Sequence, residues 1–90
     1  MLEKVKLYLR ITDDVFDEEI TDLINASYLD LGIAGVDNVD ATDPLIVRAV
    51  CTYCKMNFGF PTEKEFNLLK SSYDEQKSQL STATNYTRWA

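Results

Sequence analysis

The chain has 90 residues, of which 46% are hydrophobic and 11% aromatic, a composition that fits one folded domain and excludes a disordered protein. A formal net charge of −6 argues against tight binding of nucleic acid, and the absence of histidine removes the commonest general base and metal ligand. The charged segment 1–4 predicts no secretory signal. No apolar run reaches the roughly 18 residues of a membrane span, so we expect no membrane partner and a cytoplasmic setting.

Two amphipathic helices are predicted in the first third of the chain. The first covers residues 2–9, with apolar residues on one face and basic residues between them. The second covers residues 14–31, and one residue of the segment 12–14 is expected to cap it. Its apolar face is formed, in steps of three and four, by Phe16, Ile20, Leu23, Ile24, Ser27 and Leu31.

A loop rich in glycine, asparagine and aspartate is predicted at residues 32–42. Its larger apolar residues, Ile33, Val36 and Val39, are expected to pack on the core. Since loops vary and move more than the helices they connect, this segment is expected to be the most mobile part of the body.

The third predicted helix, residues 44–58, is the element around which the chain is organised. Asp43 precedes it as a cap, Pro44 suits a first position that needs no N–H donor, and Gly59 follows its end. Apolar side chains point in nearly every direction around its axis, which is typical of a buried helix. Because few helices are available to cover it, we expect it to pack against another copy as well.

Three polar residues, Arg48, Thr52 and Lys55, form a stripe on this apolar helix. One interpretation is a solvent-facing window, or ion pairs with acidic residues of the second helix. The other is an edge that contacts acidic groups on a neighbouring subunit, where complementary charge fixes the register. Both interpretations stay open at the level of the sequence.

The fourth predicted helix, residues 62–80, carries a narrow apolar seam, and Thr62 and Glu65 have the spacing of a capping box. Residues 81–90 lose this period and turn polar. The predicted fold is therefore all-α. It is a single helical domain at residues 1–80, in which a small bundle of about four helices packs around the third, followed by a polar C-terminal tail.

No grouping of residues predicts a catalytic, cofactor or metal site. Cys51 and Cys54 lack the further ligands of a zinc site, so we interpret them as small buried core residues. The acidic residues between positions 37 and 43 lack the glycine and glutamate of a calcium-binding EF-hand, which favours a turn and a helix cap. We expect no enzymatic activity, because no base, nucleophile or phosphate loop accompanies the acidic residues.

The densest acidic cluster surrounds the start of the second helix. Negative charge in a first helical turn interacts favourably with the helix dipole, so the cluster is interpreted as a solvated charged face. Its members are Asp13, Asp14, Asp17, Glu18, Glu19 and Asp22.

The polar tail carries Tyr86, Arg88 and Trp89 close to its end. Because tyrosine and tryptophan are enriched among binding hot spots, this composition predicts a docking arm that becomes ordered on contact with a partner. The alternative is a frayed terminus whose Trp89 packs back onto its own core.

Packing and capping patterns extend over nearly the whole chain. They are Leu2-x-x-Val5-Lys6-x-x-Leu9-Arg10-Ile11 followed by Asp13-Asp14, Ile20-x-x-Leu23-Ile24-x-Ala26, Pro44-Leu45 with Ala49, Tyr53-x-Lys55-x-Asn57-x-Gly59, and Phe66 to Tyr73 with the tail tyrosine. In these patterns the chain resembles the small head–tail connector proteins of tailed bacteriophages, often labelled DNA-packaging proteins, in the form seen in phages of Gram-positive hosts. It differs from that form in lacking a tandem alanine pair in the second helix.

The resemblance implies a structural virion protein without enzymatic activity or cofactor. It implies a homo-oligomeric ring of about a dozen copies, which docks beneath the portal protein after genome packaging and extends the DNA channel toward the next head-completion or tail protein. DNA would pass through without specific binding, since a ring of acidic copies repels phosphate. The expected setting is the host cytoplasm during assembly and then the head–tail interface of the virion.

Under this hypothesis the candidate contacts to neighbouring subunits are Arg48, Thr52 and Lys55. The candidate contacts to a portal or tail partner are Tyr86, Arg88 and Trp89. The alternative function is a small acidic helical binding or regulatory module, of a DNA-mimic or anti-repressor type, whose acidic face binds a basic partner.

Overall fold

The computed structural model describes residues 1–37, 39–83 and 86. The described residues form the four helices α1 (Leu2–Leu9), α2 (Asp17–Ile33), α3 (Pro44–Asn57) and α4 (Glu63–Thr82). The prediction of an all-α fold is confirmed. α3 packs against each of the other three helices, so its predicted central position is confirmed as well.

The start of α2 differs from the prediction. The helix begins at Asp17 and not at residue 14, and Phe16 occupies its N-cap position without a side-chain hydrogen bond. Asp13 instead accepts a hydrogen bond from the Val15 N–H at 3.3 Å, and the carbonyl of Asp14 accepts one from the Asp17 N–H at 3.3 Å. The expected polar cap is therefore wrong, because these residues build a turn that precedes the helix.

The caps of α3 and α4 are confirmed. Asp43 Oδ1 accepts a hydrogen bond from the Leu45 N–H at 2.9 Å, and Thr62 Oγ1 accepts one from the Glu65 N–H at 3.1 Å. After α3 the chain reverses at Gly59, whose φ of 72° lies in the left-handed region that glycine adopts without strain. α4 continues to Thr82, slightly beyond the predicted end at residue 80.

The core is built around α3, which packs against all three other helices. Its buried residues are Ile46, Ala49, Val50, Cys51, Thr52, Cys54 and Met56. Val47 and Tyr53 are only half-buried, and Leu45, in the first turn, is 40% exposed. The three neighbouring helices therefore bury most of the apolar surface of α3, and the expectation that another copy covers the rest stays a prediction.

The connection between α2 and α3 is partly buried. Val36 is fully buried and Val39 packs against the core, as predicted. Ile33 was also expected on the core, but it is 87% exposed because α2 continues through it and places it on the solvent side of the last turn. The chain then turns at Gly35, with φ 96°, and the Val36 N–H donates to the Leu31 carbonyl at 2.9 Å.

A polar contact joins α4 to α2. The buried Tyr73 donates its hydroxyl to Asp30 Oδ2 at 2.5 Å, and the Lys77 ammonium lies 3.2 Å from the same oxygen. Lys77 also lies 5.1 Å from the centre of the Tyr73 ring. Burial, together with this bond to a carboxylate, raises the pKa of Tyr73 well above its ordinary value. The predicted seam of α4 thus includes a polar anchor as well as apolar packing.

Replacing Tyr73 with phenylalanine removes this hydroxyl and keeps the ring. We expect Tyr73→Phe to lower the free energy of unfolding by about 1–2 kcal/mol, since a hydrogen bond to a charged group is lost. Urea denaturation measures the change. Tyr8→Phe is the matched control, because the Tyr8 hydroxyl has no hydrogen bond to the described residues. Equal stability of the two variants would contradict a structural role for the Tyr73–Asp30 bond.

Candidate interaction surfaces

The predicted polar stripe on α3 is interrupted at its middle position. Arg48 and Lys55 are exposed, but Thr52 is only 3% exposed. Its hydroxyl donates to the Arg48 carbonyl at 2.9 Å, which satisfies the buried oxygen within the helix. Thr52 therefore lies inside the protomer, and the stripe as a contact edge is corrected to Arg48 and Lys55.

Arg48 and Lys55 are exposed, as a solvent-facing window requires, and neither forms the ion pair with α2 that was the other form of that interpretation. Among the described residues, the salt bridges involve Lys6, Lys70 and Lys77 and do not involve Arg48 or Lys55. The Lys55 ammonium instead lies 5.5 Å from the centre of the Tyr8 ring on α1.

An open groove lies between α1 and α3, next to Arg48. The side chain of Lys4 borders it on α1, and its lining is otherwise mostly apolar. The lining residues are Lys4, Leu7, Tyr8, Pro44, Val47, Arg48 and Cys51. Leu7 is 79% exposed there, and Tyr8 is 43% exposed. This groove is therefore an apolar surface with basic side chains at its margin.

Sequence reasoning missed Leu7 and Tyr8 as surface residues. The signal was present, because Leu7 lies on the opposite side of α1 from Val5 and Leu9, where an amphipathic helix ordinarily carries a polar residue. A single exposed apolar residue is ordinary, but Leu7 lies beside Tyr8 and Val47 in the groove and so forms part of an apolar patch.

The acidic cluster divides into one structural residue and a solvent-facing set. Asp17 pairs with the Lys6 ammonium at 2.8 Å, and Lys6 is itself only 8% exposed, so this pair joins α2 to α1. The hydrogen bond to Asp17 raises the pKa of Lys6 above its ordinary value. The solvent-facing members are Asp13, Asp14, Glu18, Glu19 and Asp22.

The outward face of α2 combines acidic and apolar side chains. Glu18, Asp22, Leu29 and Ile33 recur in steps of four, seven and four, which places them along one side of the helix. Leu29 is 71% exposed and Ile33 is 87% exposed. The residues that α2 buries, Ile20, Ile24, Ser27 and Leu31, lie on the opposite side.

Tyr86, a predicted docking residue, contacts its own protomer. Its hydroxyl donates to Asp43 Oδ2 at 2.7 Å, and its carbonyl accepts a hydrogen bond from the Asp37 N–H at 2.8 Å. Its ring packs against the core. The other two candidates in the tail, Arg88 and Trp89, lie outside the described residues.

Asp43 is the junction between this tail residue and α3. One carboxylate oxygen caps the helix and the other accepts the Tyr86 hydroxyl. The bond from Tyr86, followed by the N–H groups of Leu45 and Ile46, lowers the pKa of Asp43 below its ordinary value. A carboxyl group with a lowered pKa stabilises the fold when it is ionised.

The two cysteines are core residues, as predicted. Both are free and buried, at 4% exposure for Cys51 and 0% for Cys54. Burial raises the pKa of Cys54 to about 12 and raises that of Cys51, so both thiols stay protonated at neutral pH. Within residues 1–37, 39–83 and 86, no three or more acidic, histidine or cysteine side chains are placed to hold a metal ion. None of the helices in this part is long and apolar enough to cross a membrane.

Replacing Asp43 with asparagine tests the junction by its pH dependence. Asparagine caps helices well, so the main effect of Asp43→Asn is to remove a negative charge. In the wild type this charge is stabilised by hydrogen bonds from the Tyr86 hydroxyl and from backbone N–H groups. The stabilising effect of that charge is present above the ordinary pKa of 3.8 and is lost as the pH falls through the lower folded-state value. We expect the variant to have a lower Tm than the wild type at neutral pH, and we expect this difference to shrink as the pH falls below the ordinary carboxyl pKa of 3.8.

Thermal unfolding monitored by circular dichroism measures both proteins across that range. Tyr86→Phe removes the largest cause of the lowered pKa and is expected to weaken the same pH dependence. A difference in Tm between the wild type and Asp43→Asn that is constant with pH would show that the Asp43 charge does not stabilise the fold.

Comparison with known proteins adds one finding. The sequence model of the family described as Phage connector protein matches residues 1–87. The match includes all four helices, both faces of the groove and the Asp43–Tyr86 junction. No curated protein and no solved structure matches the chain.

Proposed function

This chain belongs to the phage connector protein family, and on that basis we propose that it forms the ring that joins the portal to the tail. Membership confirms the resemblance to head–tail connectors that the sequence patterns indicated. It gives the protein a structural role in the phage particle, in contact with other head or tail proteins. The Gram-positive form of the family stays a prediction.

The observation that carries the proposal is the family match across all four helices. The structure supports it in a second way, through apolar side chains that the core does not use. Leu7 on α1, Leu29 and Ile33 on α2, and Leu68 on α4 are all more than half exposed. Because the protomer already buries most of the apolar surface of α3, association needs no opening of the core and is free to use these peripheral residues.

The charge of the chain suits a channel through which DNA slides. Each copy carries a formal net charge of −6, and several acidic residues at the start of α2 are exposed. A ring of about a dozen such copies repels phosphate and avoids binding DNA during its passage. We propose that the protein has no enzymatic activity and no cofactor. The buried, protonated thiols support this, since a nucleophilic cysteine acts as the thiolate.

The proposed partners are the portal protein on one side and the next head-completion or tail protein on the other. Arg88 and Trp89 remain the candidate docking residues for one of them, while Tyr86 holds the base of the tail on Asp43. Assembly would take place in the host cytoplasm, and the finished ring would lie at the head–tail interface of the virion.

The exposed acidic cluster favours a second candidate function. A small acidic helical protein is also suited to binding a basic partner by imitating the charge of DNA. Charge reversal separates the two candidates when it is confined to acidic residues that make no described contact with another helix. Asp13 and Glu19 meet this condition. Asp17 pairs with Lys6, and Asp14 contributes to the raised pKa of Lys6, so these two are unsuitable.

Light scattering of the full chain, alone and mixed with its cognate portal protein, tests the proposal. We expect particles many times heavier than the 10.3 kDa protomer in at least one of the two conditions. The variant Asp13→Lys/Glu19→Lys is expected to assemble like the wild type. A protein that stays monomeric in both conditions would overturn the proposal that it forms a ring. Normal folding with loss of every partner complex in the variant would favour the DNA mimic instead.

A further inference from the structure

The groove between α1 and α3 carries basic charge, and Lys4 at its margin lies near enough to Asp40 to add to the hydrogen bonds that lower the pKa of that carboxyl group. We define the basic groove as Lys4, Leu7, Tyr8, Val47, Arg48 and Lys55. Its three basic residues form no salt bridge with any described residue; Lys4 donates to the Ala41 carbonyl at 3.2 Å, and Lys55 lies over the Tyr8 ring. Leu7 and Tyr8 remain open to solvent between these cations. The groove is thus an apolar surface bordered by positively charged side chains, on which an apolar segment of a partner could pack.

The outward face of α2 has the complementary composition. We define the acidic ridge as Glu18, Asp22, Leu29 and Ile33. Its two acidic residues are exposed and form no salt bridge with the described residues, and its two apolar residues are the most exposed of α2. A ridge with apolar side chains at one end and carboxylates at the other matches a groove that combines apolar and basic side chains.

The groove and the ridge are different surfaces of the protomer. The groove lies between α1 and α3, and Arg48 and Lys55 lie about two turns apart on one side of α3. The acidic ridge lies on the side of α2 opposite to the residues that α2 buries, so it points away from the core.

From these observations we propose that the acidic ridge of one copy docks into the basic groove of the next copy. The proposal rests on the proposed ring and names the two surfaces that build it. A contact between two different surfaces of a protomer is head-to-tail, and it closes into a ring when the rotation per copy allows it. Leu29 and Ile33 would cover Leu7 and Tyr8, and Glu18 and Asp22 would pair with the cations at the margin.

Charge exchange between Arg48 and Asp22 tests this contact in solution. Arg48→Glu places two acidic residues against each other at every contact, and Asp22→Arg places two basic ones. Each variant alone is expected to raise the concentration needed for half-assembly at least about tenfold, because like charges that face each other across an interface repel. An equimolar mixture restores opposite charges at every contact between unlike copies. We expect it to return to within about threefold of the wild type.

Lys64→Glu is the control variant, since Lys64 is an exposed basic residue on α4 outside the groove. It makes the same charge change as Arg48→Glu and is expected to leave assembly unchanged. Recovery in the mixture also shows that both single variants fold. Sedimentation velocity over a concentration series, with nuclease-treated protein and with portal where the wild type needs it, gives the half-assembly concentrations.

Each other outcome overturns the proposed contact. If the single variants assemble like the wild type, or if their mixture stays dissociated, the ring uses other surfaces and the connector function stands. If nuclease treatment alone dissociates the wild-type assembly, the groove binds the phosphate groups of nucleic acid, and it does not bind the acidic ridge. If the wild type never assembles, with or without portal, the ring itself fails together with this contact.

Discussion

The burial of α3 by the other three helices is the constraint on which the rest of the structure depends. A helix that is apolar on nearly every side is stable in water only when it is covered on nearly every side. α1, α2 and α4 all pack against α3. Arg48 and Lys55 are among the residues of α3 that remain exposed.

Polar contacts fix the three outer helices relative to one another. Lys6 and Asp17 join α1 to α2, and Tyr73 joins α4 to Asp30 of α2. Asp43 links the start of α3 to Tyr86 near the end of the chain. Each contact lies at the margin of the apolar core, where the carboxylate keeps some contact with water. Packing therefore gives most of the stability, and these contacts add to it and help to fix the arrangement.

Local patterns in the sequence predicted what depends on neighbouring residues. The caps at Asp43 and Thr62, the apolar seam of α4 and the burial of Cys51 and Cys54 all follow from spacing along one helix. What failed depends on tertiary placement. The burial of Thr52 depends on the helices that pack beside it. The pairing of Tyr86 with Asp43 spans 43 residues, and no local pattern predicts such a contact.

This account places stability within the protomer and assembly at its periphery, so the two are separable. Hydrogen exchange of the backbone amides, compared between isolated and assembled protein, tests that separation most directly. The account predicts that the amides of α3 are already the most protected in the isolated chain and change little on assembly. Rapid exchange throughout α3 in the isolated chain, with protection gained only on assembly, would contradict it.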